Sequence, residues 1–445
     1  MRPKPPNPAA TDDLFRHQLS NILDQRHELL RLAGLIDWSR FERAYGALYA
    51  EQGRPGLPTR LMVGLHLLKH MKALSDEQVC AAWIENPYFQ AFCGATYFQH
   101  ALPLDRSSMT RWRGRIGPEK LEAVLAETIA AAMKGGAMAP KHAQRVTIDT
   151  TVQTKAVAHP TDSHLLYRAI EWLNRLAKRG GIALRQSFLR LGKHAQREIG
   201  RLIHTGGHKQ ALRHLRKLKT FLGRLYRDVG RKLEADPLLR ELSSATMERI
   251  ARLLAQQPGD KRKLYALHAP EVECIGKGKA RTRWEFGVKM SLAVTNARAP
   301  GGQFVLAARA CPGYPYDGHT LKAQLDQVER LTGQQVARAY VDLGYRGHDA
   351  KAGHTAIYIS RQRDLPSPTI KRELRRRSAV EPVIGHLKSD GLVERNRLAG
   401  AHGDAVNIIL AAAGHNLRLL LAWLRRLCAL ILFALFGRPN RPVAA

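Results

Sequence analysis

Residues 145–153, RVTIDTTVQ, decide how the chain is read: a short β-branched run follows a long helical stretch and carries one acid, Asp149. Val, Ile and Thr favour a pleated strand, and an almost continuous apolar run is one that neighbours cover on one or both faces. Similar runs follow at 283–295 (RWEFGVKMSLAVT), 303–310 (QFVLAARA), 336–344 (VARAYVDLG) and 356–361 (AIYISR). Between them TLKAQLDQVERLTG (320–333) has helical periodicity and stops at Gly333. From residue 283 the order is strand, strand, helix, strand, strand, helix, which predicts a mixed α/β layer fold.

Outward from this core, residues 11–135 read as mainly helical, with apolar periodicity in RLMVGLHLLKHMKAL (60–74) and the capping-box pair Ser75 and Gln78. Gly135 and Gly136 mark a boundary, which divides the chain into an all-α N-terminal domain (1–135), a catalytic-type α/β domain (136–436) and a tail (437–445). Residues 161–265 interrupt the α/β pattern as a basic helical insertion; over 161–260 it holds 21 basic and 9 acidic residues, a balance of 21 − 9 = +12. Leu212, Leu215, Leu218, Leu222 and Leu225 form a packing stripe there, and an antiparallel hairpin with a basic outer face could clamp DNA or a second subunit.

The whole chain carries 71 Lys and Arg against 38 Asp and Glu, a net charge of +33 over 445 residues. Such a field draws a polyanion, and nucleic acid is the natural partner. Cys80, Cys93, Cys274, Cys311 and Cys428 are scattered, which argues against a zinc ribbon or a disulfide framework and suits a reducing compartment. The Pro-rich start, MRPKPPNPAATDD, has no secretory pattern, and LCALILFALF (427–436) is too short for a spanning helix, so no membrane partner is expected. Neither an ATP loop nor a zinc spacing accompanies Gly276, Gly278, His159, His164 or His319.

Arg106, Arg111, Arg113 and Arg115 lie on or beside a short helix after the possible caps Ser107 and Ser108. Two readings stay open: the recognition helix of a helix-turn-helix module, or a solvated amphipathic helix with Trp112 in the core. Asp149 and Asp342 each sit near the C-terminal part of an apolar β run, where an unpaired carboxylate is costly and a hard divalent cation would neutralise it. Glu381, in RRRSAVEPVIGHLKSD, is the candidate third ligand, with Arg377 and Lys388 on the same face of a continuous helix. Ser378 with Glu381 equally matches a capping box, and Pro382 biases Glu381 towards a helix start.

The segments VTIDTTVQTKAVAHPTDSHLL (146–166), HAPEVECIGKGKARTRWEFGVKMSLA (268–293), PYDGHTL (315–321), YVDLGYRGHD (340–349) and RRRSAVEPVIGHLKSDG (375–391) together resemble the insertion-sequence five group of DDE transposases. GLPTRLMVGLHLLKHM (56–71) looks like the domain that precedes the catalytic core in this group, so the likeness covers nearly the whole chain. The related insertion-sequence four group carries a Tyr, Arg, Glu, Lys signature; Arg377, Glu381 and Lys388 fit its last three positions and Leu374 replaces the tyrosine. The resemblance implies a ribonuclease H-like mixed sheet, although the strand order alone fits other α/β folds too.

It further implies that Asp149, Asp342 and Glu381 are catalytic and hold two Mg²⁺ ions, with Mn²⁺ able to substitute. The expected activity is cleavage of double-stranded DNA at the terminal repeats of an insertion sequence and joining of the 3′-hydroxyl to target DNA. Arg377, Lys388, Arg346, Arg111, Arg113 and Arg115 are the expected DNA contacts, with Tyr345, Asp317 and His319 as further motif residues. A homo-oligomer of two or more subunits on DNA, in the bacterial cytoplasm at the nucleoid, goes with this activity. The rival readings are a structure-specific nuclease on the same fold and a non-catalytic DNA-binding regulator derived from a transposase.

Overall fold

The computed structural model describes residues 17–49, 56–276, 283–350, 353–362 and 366–436. Its N-terminal stretch is helical: α1 (Leu19–Ile22), α2 (Glu28–Leu35), α3 (Trp38–Tyr45), α4 (Thr59–Met71), α5 (Asp76–Glu85), α6 (Pro87–Phe92) and α7 (Ser107–Lys134). α5 opens on the expected box, the Ser75 hydroxyl accepting from the Gln78 N–H at 3.1 Å and Gln78 Oε1 accepting from the Ser75 N–H at 2.8 Å. α7 opens differently. Neither Ser107 nor Ser108 caps it; Asp105 Oδ1 accepts from the Ser107 N–H at 2.8 Å. Gly117, at φ 79° and followed by Pro118, then breaks the axis of α7 in a conformation that only glycine enters without strain.

The α/β part begins with β1 (Arg145–Thr154) and continues, after the insertion, with β3 (Trp284–Thr295), β4 (Val305–Cys311), α12 (Leu321–Thr332), β5 (Arg338–Val341), β6 (Ala356–Ile359), α13 (Pro368–Arg375), α14 (Val380–Ser389) and α15 (Gly400–Phe436). The strands lie in the order β3, β1, β5, β6, with β4 on the outer side of β3. β5 and β6 run parallel to β1, whereas β4 is antiparallel to β3. This is the expected mixed α/β sheet. β3 is buried without a break from Gly287 to Thr295, in keeping with its near-continuous apolar sequence.

The N-terminal helices and the sheet share one core, in which Leu65, Trp83 and Leu125 are joined with Ile148, Leu292, Val341 and Leu417. α15 packs against α4 and α7 as well as β4. The chain therefore does not divide near residue 136. One unit comprises the residues up to Thr154 and those from Val288 onward, and the other is Lys155–Gly287. The apolar face of α7 is what removes the expected boundary, because it is buried against α15 and β4 and leaves the N-terminal helices no core of their own.

The Gly400–Leu427 part of α15 is long and apolar enough to cross a membrane, and 78% of its apolar window is buried as a core helix. The side chains of 428–436, the tail 437–445 and the Pro-rich start lie outside the described residues. Cys80, Cys93 and Cys311 are buried free thiols, and Cys274 is a half-buried one.

The second unit is a helical array, α8 (Asp162–Arg179), α9 (Leu189–His204), α10 (His208–Leu233) and α11 (Pro237–Ala255), followed by β2 (Glu273–Gly276), which pairs antiparallel with Trp284–Gly287 at the start of β3. It is thus longer than the predicted 161–265 segment. Its core gathers Ile170, Leu218, Leu222, Leu225 and Ile250. Leu212, predicted in the same stripe, is 53% exposed.

Candidate active site

In the parallel pair β1 and β5, Arg145 lies opposite Arg338, Val146 opposite Ala339 and Thr147 opposite Tyr340. Carried two residues further, the same offset sets Asp149 level with Asp342, which follows the last residue of β5. One guanidinium stands at both acids: Arg377 Nη1 is 3.7 Å from Asp149 Oδ2 and Nη2 is 3.6 Å from Asp342 Oδ1. The Asp149 side chain is 21% exposed and that of Asp342 51%, so one acid is largely enclosed and the other is half open to solvent.

Burial pushes the Asp149 carboxyl up to about 6, and the charges of Asp342 and Asp317 add to that effect. The Thr150 N–H, which donates to Asp149 Oδ1 at 2.8 Å, and Arg377 act in the opposite direction. Asp317 belongs to the same cluster. Its Oδ1 accepts from the Thr150 hydroxyl and from Lys289 Nζ, each at 2.8 Å. Lys289 is buried on β3 and also lies 4.3 Å from the centre of the Tyr314 ring. A Cβ on Gly344 would come within 3.1 Å of Asp317 Oδ2, so the turn after Asp342 is closely applied to this acid.

Tyr345 is buried, and its hydroxyl is held well above the usual tyrosine range by that burial and by the charges of Asp149 and Asp317. His319 is exposed, its ring edge against Tyr316.

Glu381 lies in the first turn of α14 and is exposed. The capping box with Ser378 is not formed: the Ser378 hydroxyl donates to the Arg375 carbonyl at 3.2 Å and no side chain caps α14. Nor do Arg377, Glu381 and Lys388 share one continuous helix, because a 3-10 turn, Arg376–Ala379, separates α13 from α14. Glu381 and Lys388, seven residues apart, do share a face of α14. α14 packs against β1.

A second glutamate in this basic stretch has a different role. Glu373 is buried and accepts from Arg145 at 2.7 Å, from Arg338 at 2.9 Å and from the Tyr340 hydroxyl. Arg145 and Arg338 open β1 and β5, so Glu373 pins the strand starts, at the end of the sheet away from Asp149 and Asp342. Glu373, Lys289 and Thr150 were not singled out from the sequence; an acid and a lysine inside otherwise apolar or basic runs were the only signal.

Of the remaining candidates, Arg346 is exposed just after the turn Leu343–Tyr345. Arg111 and Arg115 are exposed on α7, and Trp112 packs partly into the core, 5.7 Å from the Tyr45 ring. Arg113 is corrected: it is 5% exposed and donates to both oxygens of Asp76 at 3.0 and 2.6 Å, with His66 beside it. Its guanidinium holds α7 to α5 and is not on a basic outer face.

Asp149, midway along β1, and Asp342, just past the end of β5, offer carboxylate oxygens, the kind of donor that Mg²⁺ prefers. Asp149 and Asp342 suit such an ion in type and in convergence. The place between them is held by Arg377, and among the described residues no three His, Cys, Asp or Glu side chains are gathered as a metal-binding group.

Residues 17–115 match the family described as Transposase domain (DUF772). A Rhizobium meliloti protein, described as uncharacterized protein ORF8 in the nfe locus, is 52% identical over 204 residues, which is 46% of this chain and 98% of that protein. No solved structure matches the chain. The N-terminal helices thus match a transposase domain, and the chain belongs to one family with this Rhizobium meliloti relative.

Proposed function

We propose that the chain is a DDE transposase of the insertion-sequence five type, which binds the terminal inverted repeats of its element, cleaves DNA there and joins the 3′-hydroxyl to target DNA. The observation that carries this reading is the register of β1 and β5, which brings Asp149 and Asp342 level beside a single cation. The strand order, β4, β3, β1, β5, β6 with the last three parallel, supports a ribonuclease H-like core for it.

In this reading Asp149, Asp342 and Glu381 hold two Mg²⁺ ions, for which Mn²⁺ can substitute. Bound there, the ions supply polarisation of the attacking water or 3′-hydroxyl and stabilise the leaving oxygen. The chain's own groups do the positioning. Asp317, neutralised by Lys289 and bonded to Thr150, holds the backbone next to Asp149 in place. Arg377, drawn off the acids by a phosphate, becomes a bidentate donor to the DNA backbone, with Lys388 and Arg346 as further phosphate contacts. Arg111 and Arg115 present charge from α7. Two transposon ends require at least two subunits on double-stranded DNA, in the bacterial cytoplasm at the nucleoid.

The test is cleavage of labelled DNA carrying the element's own ends, with wild type, Asp149→Ala, Asp342→Ala and Glu381→Gln compared in Mg²⁺ and in EDTA. Metal-dependent cutting and joining that needs all three acids supports the reading. Full activity of Glu381→Gln would remove Glu381 from the triad, and cutting without joining would make the chain a nuclease of the same fold.

A further inference from the structure

Helix α10 of the second unit sorts its residues by face. Ala211, Leu218, Leu222, Leu225, Val229 and Leu233 are buried in the core of that unit. Arg213, Lys217, Thr220, Arg224, Arg227 and Arg231 are exposed. Their spacings alternate between four and three residues, so on an α-helix they fall within an arc of about 80°. From Arg213 to Arg231 the stripe runs about 27 Å, the rise of about 8 base pairs of duplex DNA.

A helix face kept only for solubility mixes its signs. α8 and α9 do so: Arg168 pairs with Glu171 and Arg201 with Glu198, each at 2.7 Å. α10 does not. It has nine Lys and Arg and one acid, Asp228, which is buried and already beside Lys232 at 3.0 Å and Arg231 at 3.7 Å. Among the described residues, Arg213, Lys217, Arg224 and Arg227 take part in no ion pair. Arg185, from the loop before α9, joins Arg224, Arg227 and Arg231 around one concavity. Four guanidiniums about a hollow with a single carboxylate at its base suit a polyanion, and their planar forks match phosphate oxygens.

We infer that the outer face of α10, with Arg185, is a docking surface for the phosphate backbone of duplex DNA. The inference rests on the proposal that DNA is the partner of this protein, and it gives the insertion a share of the binding that is separate from the acid cluster. Backbone docking of this kind is sequence-independent and salt-sensitive.

The test uses the full chain carrying Asp149→Ala, in EDTA, so that no cleavage intervenes. Affinity for a labelled duplex is measured against salt for this protein and for the same protein with Arg213, Lys217, Arg224 and Arg227 all changed to Gln. A control changes Arg175, Lys178, Arg179 and Arg240 to Gln, four exposed cations elsewhere on the second unit. Thermal melts establish that all three are folded.

The expected result is a plot of log affinity against log salt that is shallower by up to about 3.6 for the α10 variant, at about 0.9 for each of four phosphate contacts, with little change in the control. An unchanged slope, or an equal fall in the control, overturns the inference and leaves the transposase reading intact. A change of subunit association in sedimentation with the DNA slope unaltered would assign the face to a second copy, which also overturns it. Failure of the parent protein to bind any duplex would sink both.

Discussion

Lys289 Nζ lies 2.8 Å from Asp317 Oδ1, tying the middle of a buried strand to an acid one hydroxyl away from the neighbour of Asp149. The pair has a price as well as a use. A buried lysine without its acid, or the acid without its lysine, leaves an uncompensated charge. Lys289→Met is therefore expected to lower stability by about 1 to 3 kcal/mol, the Asp317 side of the pair being partly solvated. Adding Asp317→Asn should return much of that loss. Denaturant unfolding of both single variants and the double one checks this, and simple additivity of the two losses would show that the pair is not coupled.

The Asp149 carboxyl predicts a pH dependence. Raised from 3.8 to about 6, it holds a proton in the folded chain at pH values where the unfolded chain has released it. The folded state is thus favoured below pH 3.8, loses that advantage as pH rises to about 6, and loses no more above it. Asp149→Asn never carries the buried charge. In EDTA it should be more stable than wild type at pH 7.5, by on the order of 2 to 3 kcal/mol, and the difference should vanish near pH 4. It should also be inactive. Thermal melts across this range would refute the assignment if the two proteins lost stability in parallel.

Arg377 predicts a link between metal and stability. Its removal leaves Asp149 and Asp342 facing each other without the cation they now share. Arg377→Ala should melt below wild type in EDTA and should gain more from added Mg²⁺ than wild type does, since ion and guanidinium neutralise the same acids. An equal Mg²⁺ response in the two proteins would separate Arg377 from the ion's place.

How much of this was legible in the sequence follows from the range of each interaction. Asp149 and Asp342 each follow a short apolar run, which local pattern shows, but β1 continues past Asp149 to Thr154, and it is the register with β5 that sets the two acids level. Glu373 and Glu381 could not be told apart in that way. Both lie in one basic stretch, and what buries Glu373 is Arg145 and Tyr340, residues 228 and 33 positions away. The false boundary near 136 has a similar cause: amphipathicity tells that α7 has a face to bury but not that α15, hundreds of residues later, supplies the other side. Arg113 was legible and was missed. Residues two apart on a helix point about 200° apart, so Arg111 and Arg115 share a face and Arg113 has the opposite one.

That geometry makes the last prediction. Asp76 receives Arg113 and Lys69, each at 2.6 Å, and its carboxyl is held far below the usual range: burial opposes this, but the two cations outweigh it. Arg113→Ala removes the bidentate partner and should destabilise the chain by about 2 to 4 kcal/mol, Lys69 retaining part of the compensation. Arg111→Ala and Arg115→Ala, both on the exposed face, should stay within about 0.5 kcal/mol of wild type. In DNA titrations against salt the order reverses. Each exposed arginine that meets a phosphate should reduce the slope by about 0.9, while Arg113, in any variant that remains folded, should leave it unchanged. A lower slope in folded Arg113→Lys would mean that this guanidinium reaches DNA after all, and that α7 must turn to present it.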